Sequence, residues 1–239
     1  MLRKLLGHLG LAPPAHPTFA ENWRYFKELS LNKPLADYEF IVFDTELTGL
    51  ERHDEIVSIG AVRIRNLQIM VGDTFYVKVK PQKKLPKKTT LIHRITPQEI
   101  ENAPPLSTVL PKFIAYCGKS LLVGHYIGLD IAYLNQAYRH HYGAPVSNFC
   151  LDTMRMAQTY TEMQWQLHLD HLQTEASASY SLAALNTRYK LPEFTHHNAY
   201  EDALQTAYLF IFLVKKMKPK GVISLRDFLK IGQTWRIFF

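Results

Sequence analysis

The chain has 239 residues, 47% apolar and 21% charged, a balance that builds a core and excludes wholesale disorder. A net charge of +7 and a sequence pI near 9.3 suit a polyanionic partner without naming one. Cys117 and Cys150 stand outside any CxxC pair, which excludes a disulfide framework and points to a reducing, cytoplasmic compartment. The longest apolar run, residues 207–214, is far short of the ~20 residues a membrane span needs, so no membrane partner is expected.

Residues 1–36 read as an N-terminal extension punctuated by Pro13, Pro14, Pro17 and Pro34, with a short amphipathic start and a helix over 21–29. Gly7, His8 and Gly10 break the leucine-rich start, which argues against a signal peptide. A main globular domain over 37–217 follows, then a C-terminal helix and tail over 218–239. Residues 40–43 are continuously apolar and predict a strand buried on both faces. Alternation over 56–64 and a run over 74–79 predict two more strands, joined by short turns into an antiparallel meander.

Helical spacing then takes over, with Leu106, Val109, Leu110, Phe113 and Ile114 on one stripe. Short buried strands are expected at 121–123 and 149–151, and helices over 130–141, 181–189, 200–217 and 224–231. Residues 160–179 read as an inserted helix plus loop. Three strands in a meander followed by strands alternating with helices predict an α/β fold with a mixed five-stranded sheet flanked by helices.

Asp44 and Glu46 end the first strand, and residues two apart on a strand project to the same side. Two like charges beside a core need a proton or a cation between them, and oxygen donors alone suit a hard ion such as Mg²⁺ or Mn²⁺. The alternative is that Asp44 caps a turn while Glu46 faces water, and the segment alone leaves both open. Asp130 lies in the first turn of a helix, where the macrodipole favours an acid with no further role. Asp202 sits within a very apolar helix, where a carboxylate needs a partner, and His197 precedes it by five positions. Beside metal-holding acids such a histidine is a candidate general base for water. A His53–Asp54 pair, suggestive of a helical metal phosphohydrolase, falls between expected strands and does not fit that class.

FDTELTGL (43–50), VGHYIGLDIAYL (123–134) and HNAYEDALQTAYLF (197–210) resemble, in order and spacing, the three motifs of the DEDD exonuclease superfamily. This superfamily includes the proofreading epsilon subunit of bacterial DNA polymerase III, oligoribonuclease and RNase T. A histidine five residues before the last acid marks the DEDDh branch. IHRIT (92–96), DTMRMA (152–157) and SLAALNTRY (181–189) resemble secondary segments of the same group. The resemblance spans about residues 38–214. Leu47 departs from the Thr or Ser usual in the first motif, Tyr126 and Leu129 stand where many relatives carry Asn and Phe, and Arg94 replaces a Gly.

The resemblance implies a ribonuclease H-like fold and a 3′–5′ exonuclease in which Asp44, Glu46, Asp130 and Asp202 hold two divalent ions, Mg²⁺ or Mn²⁺. His197 would then accept the proton of the attacking water. It also implies substrate contacts from Thr45, Leu47, Thr48, Gly49 and Leu50, with His93 and His125 either facing the cleft as further contacts or serving as structural hydrogen bonders, and with single-stranded nucleic-acid 3′ ends as partner and a DNA polymerase as a further candidate. Lys78, Lys80, Lys83, Lys84, Lys87 and Lys88 form a stripe that would suit a nucleic-acid backbone, or would equally serve as a solvated strand edge. Neither DNA against RNA nor the oligomeric state is legible at this level.

Overall fold

A computed structural model of the chain describes residues 14, 16–51, 53–83, 85–165, 179–194 and 198–232. The apolar run expected as the first strand is β1 (Phe40–Leu47), central in a five-stranded sheet of order β3-β2-β1-β4-β5. Strands β2 (Ile56–Arg65) and β3 (Gln68–Lys78) pair antiparallel as a meander, while β4 (Leu121–Gly124) and β5 (Cys150–Asp152) run parallel to β1. The third strand begins six residues earlier than expected at 74, because Asn66 and Leu67 both adopt positive φ and close a two-residue hairpin opposite Arg65 and Gln68.

Nine α-helices are described. They are α1 (Pro17–Glu28), α2 (Lys87–His93), α3 (Pro97–Ile100), α4 (Leu106–Cys117), α5 (Gly128–Tyr142), α6 (Thr153–Trp165), α7 (Leu182–Tyr189), α8 (Ala199–Met217) and α9 (Leu225–Gly232). The sheet divides the core in two. Phe40, Val42, Val62 and Ile64 face α8, α6 and α9, while Ile41, Phe43, Ile59 and Ala61 face α4 and α5. Side chains alternate along β1, so Asp44 and Glu46 continue the first face and Thr45 and Leu47 the second.

The segments expected as an N-terminal extension and a C-terminal helix pack on this core. Phe19 of α1 is buried with the α4–α5 layer and Phe26 with the α8 layer. Leu225 N–H donates to Lys33 carbonyl at 3.1 Å and Arg226 N–H to Leu31 carbonyl at 2.7 Å, while Leu225 and Phe228 are buried. Residues 1–13 and 233–239, and most of the expected insertion, lie outside the described residues; its start belongs to α6.

One contact fixes the site. Asp44 pairs with Gly60 across β1 and β2, and Gly60 pairs with Tyr76 across β2 and β3. A Cβ on Gly60 would sit 2.1 Å from Tyr200 N and 2.2 Å from Ala199 C, so the missing side chain lets the N-terminus of α8 land on the sheet next to Asp44. Gly60→Ala must push α8 away. The expected cost is about 1–3 kcal/mol of stability and, from a displacement of ~1 Å at Asp202, on the order of 10²-fold in hydrolysis. Thermal melting and a rate on a labelled oligonucleotide check both; an unchanged rate would show that this close approach does not position the site.

Candidate active site

Ligand oxygens of Asp44, Glu46 and Asp202 lie within 4.8 Å of one another, all three side chains half-buried. The two strand acids converge through their shared face, and the pairing register slips between Glu46 and Leu47, a bulge that ends regular pairing where the site begins. Asp202 enters from α8. Asn198 caps that helix, its side chain accepting from Tyr200 N–H (3.0 Å) and Glu201 N–H (3.4 Å), and Asp202 N–H donates to Asn198 carbonyl at 2.9 Å. The acid thus lies in the first helical turn, where the aligned backbone dipoles favour negative charge.

Asp130, buried in the first turn of α5, reaches the end of β1 from the opposite layer. Its Oδ1 accepts from Thr45 N–H (3.0 Å) and Thr45 Oγ1–H (2.5 Å), which fixes it beside, and not within, the tight group of three. Thr45 is therefore a tether for Asp130, and its buried side chain is not placed as the expected substrate contact.

The electrostatics of Asp44, Glu46 and Asp130 are strained in the absence of a cation. Burial, reinforced by the charges of Asp130, Glu46 and Asp202, pushes Asp44 well above the carboxylate range. Burial with Asp202 and Asp130 raises Glu46 to about 8, and burial raises Asp130 to about 7 against the opposing bonds from Thr45. Oxygen donors alone, close enough to share an ion and destabilised by one another, fit hard divalent cations.

The other expected contacts divide. Leu50 is exposed at 77%, whereas Leu47 is buried among Phe43, Ile56 and their neighbours. The departure at position 47 is thus absorbed by packing, because an odd-numbered β1 residue faces the α4–α5 layer. Thr48 Oγ1–H donates to Asp54 Oδ1 (2.7 Å) and accepts from Glu55 N–H (3.0 Å), so its hydroxyl holds the loop. A Cβ on Gly49 would lie 2.4 Å from Asp54 Oδ2, which makes Asp54 the organiser of this turn.

His93 is buried, with Nδ1 accepting from Ile95 N–H at 3.1 Å. His125 takes the structural one of its two expected roles. Its Nε2–H donates to Tyr180 carbonyl (2.9 Å), Nδ1 lies 2.9 Å from Thr153 Oγ1, and burial lowers it to about 4, so it is a neutral structural ring. His197 lies outside the described residues, directly before the Asn198 cap in sequence.

The lysine stripe is partly consumed by structure. Lys78 pairs with Glu99, Lys80 Nζ donates to Glu101 carbonyl (2.8 Å) and Lys83 Nζ to His53 carbonyl (3.1 Å). Lys84 and the side chain of Lys87 are outside the described residues. Among the described residues, no helix is long and apolar enough to cross a membrane.

Comparison with known proteins agrees with this geometry. Residues 41–210, more than half of the chain, match the family profile described as RNase_T: Exonuclease. PolC-type DNA polymerase III of Thermotoga maritima is 30% identical over 209 residues, covering 87% of this chain and 14% of the polymerase. That of Caldanaerobacter subterraneus is 33% identical over 190 residues, 79% of this chain and 12% of the polymerase. The chain thus spans a small fraction of the length of these relatives.

Among solved structures, Exonuclease X in complex with 5′ overhanging duplex DNA aligns with TM-score 0.58 and 24% identity, over 81% of this chain and 99% of that one. Exonuclease I of E. coli in complex with a dT13 oligonucleotide aligns with TM-score 0.65 and 16% identity, over 77% and 42%. These likenesses show the fold. With all three acidic motifs inside the matched span, the chain belongs to the RNase_T exonuclease family, of the DEDDh type.

Proposed function

We propose that the domain hydrolyses single-stranded DNA or RNA from the 3′ end, releasing nucleoside 5′-monophosphates, in the manner of a proofreading exonuclease. The observation that carries this reading is the convergence of Asp44, Glu46 and Asp202 on one point at the end of β1, with Asp130 tethered alongside. These four residues would hold two divalent ions, Mg²⁺ or Mn²⁺. Such a pair lowers the pKa of an attacking water and stabilises the charge on the leaving oxygen. Four carboxylates otherwise repel a phosphodiester, so activity would be strictly dependent on the cation.

His197 takes the proton from the attacking water as its oxygen bonds to phosphorus. The P–O3′ bond breaks, the released mononucleotide keeps the 5′-phosphate, and the 3′-oxygen of the shortened strand takes up a proton. Thr45 keeps Asp130 aligned, and the Gly60 contact keeps Asp202 within reach of Asp44. The net positive charge supports a polyanionic substrate, and the PolC-type relatives support action alongside a DNA polymerase in the cytoplasm. The burial of Leu47, on the β1 face opposite Asp44 and Glu46, supports an active enzyme over a non-catalytic nucleic-acid-binding module on the same fold.

Oligonucleotides labelled at the 3′ end, as single strands of DNA or RNA and as blunt duplex, test this with Mn²⁺ present and absent. Labelled 5′-monophosphate appearing first from single strands, only with the cation, is the expected result. Release of 3′-phosphates, cleavage from the 5′ end or equal rates with excess chelator would contradict it.

A further inference from the structure

The turn between β4 and α5 holds a residue whose side chain is not packed. Tyr126 has φ +58, in the left-handed region that side chains other than Gly, Asn and Asp rarely adopt, and is 61% exposed. The backbone on both sides is pinned. Tyr126 N–H donates to Asp152 Oδ1 at 3.0 Å, and the same oxygen accepts from Met154 N–H at 2.9 Å. His125 is held through both ring nitrogens, and Ile127, fully buried, folds back beneath Gly124, where a Cβ would lie 2.9 Å from its side chain.

Glycine or asparagine would fit this backbone without strain, yet the position carries a large aromatic. Among the described residues its side chain makes no ring contact and no hydrogen bond, so neither burial nor polarity repays the strain. An outlier of this kind points to function when the site around it is known.

Its place supplies that site. β4 lies parallel to β1, with Val123 opposite Val42, so the chain leaving β4 runs alongside the end of β1 that carries Asp44 and Glu46. Tyr126 precedes by four residues Asp130, whose carboxylate is bonded to Thr45 between those two acids. An exposed ring at this rim presents a π-face to whatever strand delivers a phosphate to the carboxylates. Bases stack on such rings whatever their sequence.

We propose that Tyr126 is a stacking platform for a nucleobase of the bound single strand, and that the pinned Asp152–Tyr126 turn exists to hold it there. This inference rests on the nuclease reading of the carboxylate site. Stacking depends on the ring and not on the hydroxyl, so Tyr126→Phe should keep affinity, and Tyr126→Gly should lose it while relieving backbone strain.

The experiment is fluorescence anisotropy with a 5′-fluorescein single-stranded oligonucleotide carrying non-hydrolysable linkages in Mg²⁺, beside steady-state hydrolysis of the ordinary oligonucleotide and thermal melting. Tyr126→Gly is expected to weaken binding about 5- to 150-fold, to raise KM more than it lowers kcat, and to melt no lower than wild type. Tyr126→Phe should bind within about two-fold of wild type, against that five-fold lower bound. Unchanged affinity in the Gly variant, or equal loss in Phe and Gly, would overturn the inference and leave protein docking as the use of the exposed ring. Wild-type protein that binds the strand but hydrolyses nothing would instead count against the nuclease reading, and the affinity comparison would still decide the role of Tyr126.

Discussion

Asp44→Asn is expected to slow phosphodiester hydrolysis by at least about 10³-fold, since a cation pair contributes several kcal/mol to the transition state and each 1.4 kcal/mol is tenfold. Asp44 shares a strand face with Glu46, and its ligand oxygen lies within 4.8 Å of those of Glu46 and Asp202. The same substitution should stabilise the cation-free protein, because burial, and after it the neighbouring acids, make Asp44 hold a proton in the folded state that the unfolded chain gives up, a cost the amide does not carry. A gain on the order of 1–2 kcal/mol, or ~2–8 °C in melting temperature, is expected in chelator. A variant that loses activity and melts lower would be misfolded; one that keeps the wild-type rate would remove Asp44 from the chemistry.

The cation-free protein should also lose stability as pH rises from about 4 to 8. The folded-state pKa values of Asp44, Glu46 and Asp130 are raised, Glu46 to about 8 and Asp130 to about 7, chiefly by burial and further by neighbouring acids for Asp44 and Glu46. Between the unfolded and folded values the native state binds more protons than the unfolded chain, so stability is full below pH ~4 and is lost as pH rises through 7 to 8. After allowance for partial exposure of Glu46, a fall of about 5–10 °C in melting temperature is expected between pH 5 and 8 in chelator. Mg²⁺ or Mn²⁺ binds the ionised acids, so its stabilising effect should be largest at pH 8 and much reduced in Asp44→Asn. A flat profile in chelator, or ion effects equal at both pH values, would contradict the geometry of the cluster.

Asp44 and Glu46 drew notice in the sequence as carboxylates two apart at the end of an apolar strand, but that segment alone left a turn cap and a solvent-facing acid open, and the three ordered motifs decided between the readings. Asp202 stood out for a similar reason, as an acid in an apolar helix. Asp130 did not, because an acid in a first helical turn has an ordinary explanation, and its tether to Thr45 spans 85 residues. The strands and most helices followed from periodicity, but the docking of α9 on the segment after α1 depends on backbone bonds between residues 31–33 and 225–226 that no local pattern announces.

Lysines in the basic stripe looked available for nucleic acid until Glu99 and the Glu101 and His53 carbonyls were found beside them. The sequence left His125 open between cleft and structure for the same reason, its partners Thr153 and Tyr180 lying 28 and 55 residues away. Gly60 gave no signal at all, since its role is the space it leaves for α8.

Anomalous diffraction from a crystal equilibrated with Mn²⁺ tests the central claim most directly. Two manganese peaks ~3.5–4 Å apart, bounded by oxygens of Asp44, Glu46, Asp130 and Asp202 with the His197 ring beside them, are the result expected. Manganese bound elsewhere, with these carboxylates turned away from one another, would contradict the assignment.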